Sequence, residues 1–322
     1  MVWCDQIIKC LNPCLEMKKK IRNWSQYNRA LVQRGNINIW LSESAISKWQ
    51  NTEKHGGRGR SNYYSDLAIE TCLTLRAVFH LPLRALEGFV NSLLTTMDTS
   101  LQSPGYSCLC KRSKTLDVQY RKSAGKGFID IVVDSTGLKV YGNGEWHTRK
   151  HRATKRRTWR KLHLAVDATS HDIVGAELSM VNVSDGEALA DLIRPLRRNS
   201  DRVTGDGAYD TRSCYEEVAA KGAIMRVPPR ENAQYWEEGH PRNNAIFMMH
   251  QIGLTQWKMN SGYHLRSLAE TAMYRFKQLM GDKLKSRQFN SQHTETMIKV
   301  KAINKMNGLG IGVFQGSCRL SC

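Results

Sequence analysis

Between Phe128 and Val227 two kinds of segment follow one another, and their order restricts the fold of this 322-residue chain more than any other feature. Phe128-Ile-Asp-Ile-Val-Val-Asp134 is a β-branched apolar run that ends in a carboxylate. Ser135-Thr-Gly137 is expected as a turn, with Leu138–Tyr141 resuming as strand. Leu162–Asp167 and Ile173–Leu178 read as two more strands. Asp185 to Leu196 reads as a helix ending near Pro195, and Asp201–Thr204 as a short strand running into Gly205-Asp-Gly-Ala-Tyr-Asp210. Thr211–Lys221 then reads as helix and Ala223–Val227 as strand. Three hairpin-linked strands, then alternating helices and strands, predict a mixed α/β sheet with flanking helices.

The flanking sequence divides by composition. Residues 1–22 are expected to be an N-terminal extension whose first sixteen residues contribute little to folding, with Met17-Lys-Lys-Lys20 as a natural start. Residues 23–100 are expected to be helical. Ser42 or Ser44 would cap a helix with Ala45, Ile46 and Trp49 as apolar positions, and the linker His55-Gly-Gly-Arg-Gly-Arg-Ser61 resists packing. Ser65-Asp66 opens an amphipathic segment through Leu67, Ile69, Leu73, Leu75, Val78 and Phe79, and Leu81-Pro82 interrupts it. Helical spacing resumes through Leu83, Leu86, Phe89, Val90, Leu93 and Leu94. In a basic chain this suggests a helix-turn-helix reader of DNA, and a plain helical hairpin is the alternative. Residues 101–127 form a basic linker and 128–307 the sheet-containing domain. An insertion at about 228–262, carrying Tyr235, Trp236 and Trp257, precedes the next helix, and 308–322 form a Gly-rich tail.

Charge points to the partner. Lys and Arg number 48 against 29 Asp and Glu, a formal net charge of +19, which favours a polyanion. The excess is concentrated in Arg149, Lys150, Arg152, Lys155, Arg156, Arg157, Arg160 and Lys161, a block able to neutralise several phosphates. Trp159 within it could stack on a base or cover the sheet. No apolar run approaches the ~18 residues of a membrane span. Nine cysteines without paired CxxC spacing read as free thiols of a reducing cytoplasm.

The stretch from Tyr263 to Lys277 carries the chemistry. At about 100° per residue, Tyr263, Arg266, Glu270 and Lys277 share one helical stripe roughly 60° wide. Leu265, Leu268, Ala269, Ala272, Phe276 and Leu279 lie opposite and would pack down. A solvated face with helical salt bridges explains the stripe equally well by itself. Asp134 and Asp206 change the balance, because each is expected to end a strand of the domain that carries Glu270. Three carboxylates supply the hard oxygen donors that Mg²⁺ prefers, and a two-ion site of this kind displaces phosphodiesters. Taken singly, Asp134 and Asp206 could be turn residues and Glu270 a surface acid. His163 and Asp167 alternate with apolar residues and read as structural, while His147 and His151 have no evident convergent partner. No Gly-x-Ser-x-Gly or Cys-His pairing supports nucleophilic catalysis.

Asp134-Ser-Thr-Gly-Leu-Lys139, Gly205-Asp-Gly-Ala-Tyr-Asp210 and Tyr263-x2-Arg266-x3-Glu270-x6-Lys277 resemble the three signature regions of bacterial insertion-sequence DDE transposases, the last matching a Y-R-E-K signature at every spacing. The similarity runs from about Asn23 to Asn307. It implies an RNase H-like catalytic domain with Asp134, Asp206 and Glu270 holding two Mg²⁺ ions, Mn²⁺ being a substitute. It also implies double-stranded DNA partners (transposon ends and target), a homo-oligomeric synapse, and a cytoplasmic, nucleoid-associated location. Arg266, Lys277 and Tyr263 would meet DNA near the scissile phosphate. Trp236 and Trp257 are candidates for the tryptophan that holds a flipped base in related enzymes with insertions. An RNase H-fold nuclease without strand transfer, and a non-catalytic DNA-binding protein, are the rival readings.

Overall fold

The computed structural model describes residues 21–51, 62–121, 129–140, 159–197, 199–230 and 232–312. Most of the expected extension 1–22, the linker 55–61 and most of the basic block fall outside them. The chain divides into two compact units, Met1–Ile39 with Met306–Cys322, and Trp40–Lys305. In the first, Asn23 Nδ2 donates to the Ile311 carbonyl at 2.9 Å, beside helix α1 (Trp24–Gln33).

Short helices α2 (Ile37–Trp40) and α3 (Glu43–Ser47) precede α4 (Asp66–Val78), α5 (Leu83–Thr96) and α6 (Tyr106–Arg112). Ser42 caps α3 by accepting the Ala45 amide, and Ser65 caps α4 by accepting that of Ala68. Helix α4 is buried around most of its circumference, through Ile69, Cys72, Leu73 and Leu75 among others. By contrast α5 buries a single stripe, Leu86, Val90 and Leu94.

The sheet follows. Strands β1 (Ile129–Val140), β2 (Trp159–Asp167) and β3 (Ile173–Ser179) form an antiparallel meander. Helix α7 (Asp185–Ile193) leads to β4 (Ser200–Thr204), a 3₁₀ turn (Gly207–Tyr209), α8 (Arg212–Ala220) and β5 (Ile224–Arg226). The order is β3-β2-β1-β4-β5, with β4 parallel to β1 and β5 parallel to β4. This is the RNase H-like arrangement.

One expectation fails here. Ser135-Thr-Gly137 is not a turn: β1 runs through it, pairing Ser135 with His163, Thr136 with Leu162 and Gly137 with Lys161. Gly137 is tolerated mid-strand because the Trp159 ring lies over it, and a Cβ there would meet that ring at 3.2 Å. Trp159 therefore covers the sheet. Asp134 consequently sits in the middle of β1, not at its end.

Side chains alternate across β1. Ile129, Ile131 and Val133 enter a core with Ala165, Val203, Tyr209 and residues of α7 and α8. Asp134 faces the other way. The stretch expected as an insertion is helical in its second half: α9 (Pro241–Ser261) breaks at Gly253, where φ is 78° and ψ 159°, and ends at Gly262 in the left-handed region. A 3₁₀ turn (Tyr263–Arg266), α10 (Ser267–Met280), β6 (Lys283–Leu284) and α11 (Phe289–Leu309) are the last of the described elements. Helix α10 packs on β1 and β2, burying Ala269, Ala272, Met273, Phe276 and Met280. Burying Phe276 completely stabilises this docking by about 2–3 kcal/mol. Among the described residues no helix is long and apolar enough to cross a membrane.

Candidate active site

Strand register brings the two aspartates together. Val132 pairs with Thr204 across the parallel β1–β4 ladder. Asp134 and Asp206 each lie two residues beyond, so they leave the sheet side by side on one face. β4 has ended by then, and Asp206 opens the 3₁₀ turn as its cap. Small residues make that turn possible. A Cβ on Gly205 would strike the Tyr209 ring at 2.7 Å and Val133 at 3.1 Å.

Glu270 arrives from the first turn of α10. The continuous helix expected from Tyr263 begins only at Ser267, because Gly262 turns the chain through the left-handed region and Tyr263–Arg266 winds as 3₁₀. Arg266 still reaches Glu270 one turn on, with Nη1 2.6 Å from Oε1. Its Nη2 lies 3.3 Å from Asp134 Oδ2 and 3.7 Å from Asp206 Oδ2. One guanidinium thus meets all three carboxylates, while its buried Nε has no hydrogen-bond partner among the described residues.

Each aspartate divides its oxygens in the same way. Asp134 Oδ1 accepts the Ser135 amide at 2.8 Å and Asp206 Oδ1 accepts the Ala208 amide at 2.9 Å. The Oδ2 atoms face the guanidinium. Burial pushes the Asp134 carboxyl above the usual range, and the charges of Asp206 and Glu270 add to this against the Ser135 amide and Arg266. Side-chain exposure rises from 14% at Asp134 through 38% at Asp206 to 55% at Glu270, so the cluster opens to solvent on one side. Among the described residues no three acidic, His or Cys side chains are spaced to share one ion as they stand. The donor set nevertheless suits a hard divalent cation: oxygen ligands only, two of them oriented by backbone amides, in net negative surroundings.

Two family models, each described as a transposase DDE domain, match residues 32–143 and 126–305, the second alone covering more than half of the chain. The chain belongs to the DDE transposase family. Among solved structures it is similar to a piggyBac transposase synaptic complex with hairpin DNA, at 9% identity over 90% of this chain and 76% of that one, TM-score 0.36. It is also similar to the Mos1 strand transfer complex, at 13% identity over 74% and 82% of the two chains, TM-score 0.23. Likenesses this distant carry no argument about the site.

Other expected site residues of the transposase are distributed unevenly. Tyr263 is half-buried between Trp257, 5.9 Å away ring to ring, and Lys258, whose Nζ lies 5.6 Å from the ring centre. Burial pushes its hydroxyl up, and the neighbouring carboxylates push the same way against Arg266. Lys277 is half-buried two helical turns beyond Glu270. Arg160 and Lys161 turn inward: Arg160 Nε donates to Gln292 at 2.9 Å, and Lys161 Nζ lies 3.0 Å from Asp185. Arg149, Lys150, Arg152, Lys155, Arg156 and Arg157 lie outside the described residues.

Two clusters around the site escaped sequence reasoning. Behind β1, Asp185 receives Lys161, the buried His163 ring at 3.3 Å and the Ser135 hydroxyl. Although burial opposes it, these donors hold the Asp185 carboxyl well below the usual range. Beside Asp206, Asp210 binds the fork of Arg242, which also lies 4.2 Å over Trp236. The only hint was Asp210 closing the Gly-Asp-Gly-Ala-Tyr-Asp motif. Nothing local marked Arg242. Trp257 is buried, and Trp236 is packed by Tyr215 and His240 as well as Arg242.

Proposed function

We propose that this transposase, of the Y-R-E-K subgroup, cuts DNA at the ends of an insertion sequence and joins the freed 3′-OH to target DNA. Asp134, Asp206 and Glu270 would hold two divalent cations, Mg²⁺ with Mn²⁺ as a substitute. What carries the reading is the meeting of three carboxylates, from β1, the end of β4 and α10, at a single cationic group. The ions would activate the attacking oxygen and neutralise charge on the leaving one.

The chain's own groups account for the rest. Arg266 balances the carboxylates in the free protein, and a DNA phosphate offers its fork a second anion with bidentate geometry. Its movement to the phosphate releases the aspartate Oδ2 atoms and Glu270 toward the reacting centre. Lys277 and Tyr263, on the same side of α10 and its leading turn, contact the strand. The segment from Arg149 to Arg157 neutralises flanking phosphates, with Arg160 and Lys161 fixing its base to the sheet. Two in-line displacements then follow. Water oxygen bonds to phosphorus at the element end and the 3′ oxygen leaves with a proton. That 3′ hydroxyl next gives up its proton as its oxygen bonds to target phosphorus, and the target's own 3′ oxygen leaves with a proton. Two ends must be held together, which calls for a homo-oligomer on double-stranded DNA.

Asp134→Asn and Glu270→Gln should keep binding to end DNA while cleavage and joining fall by at least about 10³-fold, some 4 kcal/mol of activation energy. Labelled end DNA scored for cleavage and for transfer to a second duplex measures both steps. A variant that cuts normally would remove the triad; cutting without transfer in the wild type would make the protein a nuclease.

A further inference from the structure

Asp206 sits past the end of its strand, so the ladder that fixes Asp134 does not fix it. Its direction depends on the turn that follows. Tyr209 plugs that turn into the core from one side. From the other side the insertion takes hold. Arg242 Nε donates to Asp210 Oδ1 at 2.6 Å and Nη2 to Oδ2 at 2.8 Å, while Nη1 donates to the Gln234 carbonyl at 2.7 Å. Arg230 adds two bonds, its amide to Asp210 Oδ2 at 3.3 Å and its Nε to the Gly207 carbonyl at 3.2 Å. Asp210 is 1% exposed and Arg242 5%, so the fork is closed off from water.

We infer that Asp210 and Arg242 are positioning residues: through the turn at Gly207–Tyr209 they set the direction of the Asp206 carboxylate, and the insertion is thereby part of the machinery that builds the site. This rests on the reading of Asp206 as a metal ligand. A buried fork is suited to the task because an ammonium cannot reproduce two parallel bonds and the stacking on Trp236. A buried ion pair is, moreover, weak as a source of stability, so geometry is the property it offers best.

The test uses the full-length protein, Mn²⁺ as probe, electron paramagnetic resonance to count free ion, and melting curves to confirm folding. Arg242→Lys keeps the charge and loses the fork. Asp210→Asn with Arg242→Gln keeps hydrogen bonding and removes both charges, which guards against a variant that fails to fold. In whichever of them is folded at the assay temperature, Mn²⁺ binding should weaken about 10- to 100-fold. End cleavage should recover toward the wild-type rate as Mn²⁺ is raised. A folded variant with wild-type Mn²⁺ affinity overturns the inference, as does lost cleavage that excess Mn²⁺ does not restore. Asp134→Asn is the control. If it leaves Mn²⁺ binding unchanged the triad itself is wrong; if it abolishes binding while the clamp variants bind normally, only the positioning role is lost.

Discussion

Consecutive residues of β1 open onto two clusters built from the same ingredients. Behind the strand, Ser135 joins Asp185, Lys161 and His163, a single carboxylate with several donors. In front, Asp134 joins Asp206, Glu270 and Arg266, three carboxylates with one cation. The difference is stoichiometry. A lone carboxylate facing a lysine, an imidazole and a hydroxyl is held in its charged form where it stands. Three carboxylates on one guanidinium remain short of positive charge, and burial, with a smaller push from the other two carboxylates, moves Asp134 toward its neutral form. Counting charges against partners therefore distinguishes the two clusters, and under the proposed function the front one is the cluster that takes a cation.

The widest gap between the clusters is expected in stability. Asp185→Asn leaves Lys161 and His163 facing a neutral amide and should cost about 3 kcal/mol, because breaking a largely buried pair strands its partner. That is roughly 4–5 °C in melting temperature for a chain of this size. The pH dependence follows from the sign of the shift. A carboxyl held below its ordinary value contributes stability that is present above the ordinary carboxylate range and is lost as pH falls through it. The Asp185→Asn protein should thus differ most from wild type near neutrality and converge with it in acid. Asp134 behaves oppositely: its raised value means that stability present in acid is lost as pH rises through that value. Asp134→Asn should leave the metal-free melting temperature equal or higher. A large fall for Asp134→Asn, or none for Asp185→Asn, would break the distinction.

Much of this front cluster was legible beforehand, for a local reason. Asp134 closes an apolar run, Asp206 stands between two glycines, and Arg266 and Glu270 are four apart, so short stretches of sequence contain the signal. What was hidden depends on contacts between distant residues. Gly137 stays in a strand because Trp159 covers it from the neighbouring one. The break before Ser267 follows from the backbone at Gly262, where Arg226 Nη1 would crowd a Cβ at 3.1 Å. Arg242 finds Asp210 across 32 residues that no periodicity connects. His163 and Asp167, read from the sequence as structural, are both interior: His163 is wholly buried, and Asp167 is buried with Oδ1 accepting the Thr169 amide at 2.8 Å.

The front cluster's shortage of cation can be measured directly. With Arg266→Ala the carboxylates lose their internal counter-charge, so Mn²⁺ should bind about tenfold tighter in the absence of DNA, near 1.4 kcal/mol. Joining should nonetheless fall, because the phosphate loses its fork. Arg266→Lys should lie between the two. Titration of each protein with Mn²⁺, with and without end duplex, checks the point. Weaker binding by Arg266→Ala would mean that the guanidinium organises the carboxylates and does not compete for them.

The smallest effect concerns which basic residues are free to meet DNA. Lys161 is already held by Asp185, and its Nζ lies 3.4 Å from the Val183 carbonyl. Moving it to a phosphate would strip Asp185 of a donor, which the rear cluster resists. Neutralising Lys161 should therefore lower stability and leave the salt dependence of DNA binding nearly unchanged. Replacing Arg156 and Arg157 by Ala should do the reverse, reducing the slope of log affinity against log salt by about 2, since each phosphate neutralised contributes close to one counterion released. Binding isotherms at several salt concentrations separate the two outcomes. A slope altered equally by both changes would show Lys161 leaving Asp185 for the DNA backbone, and the rear cluster would then be a reservoir of charge for the substrate.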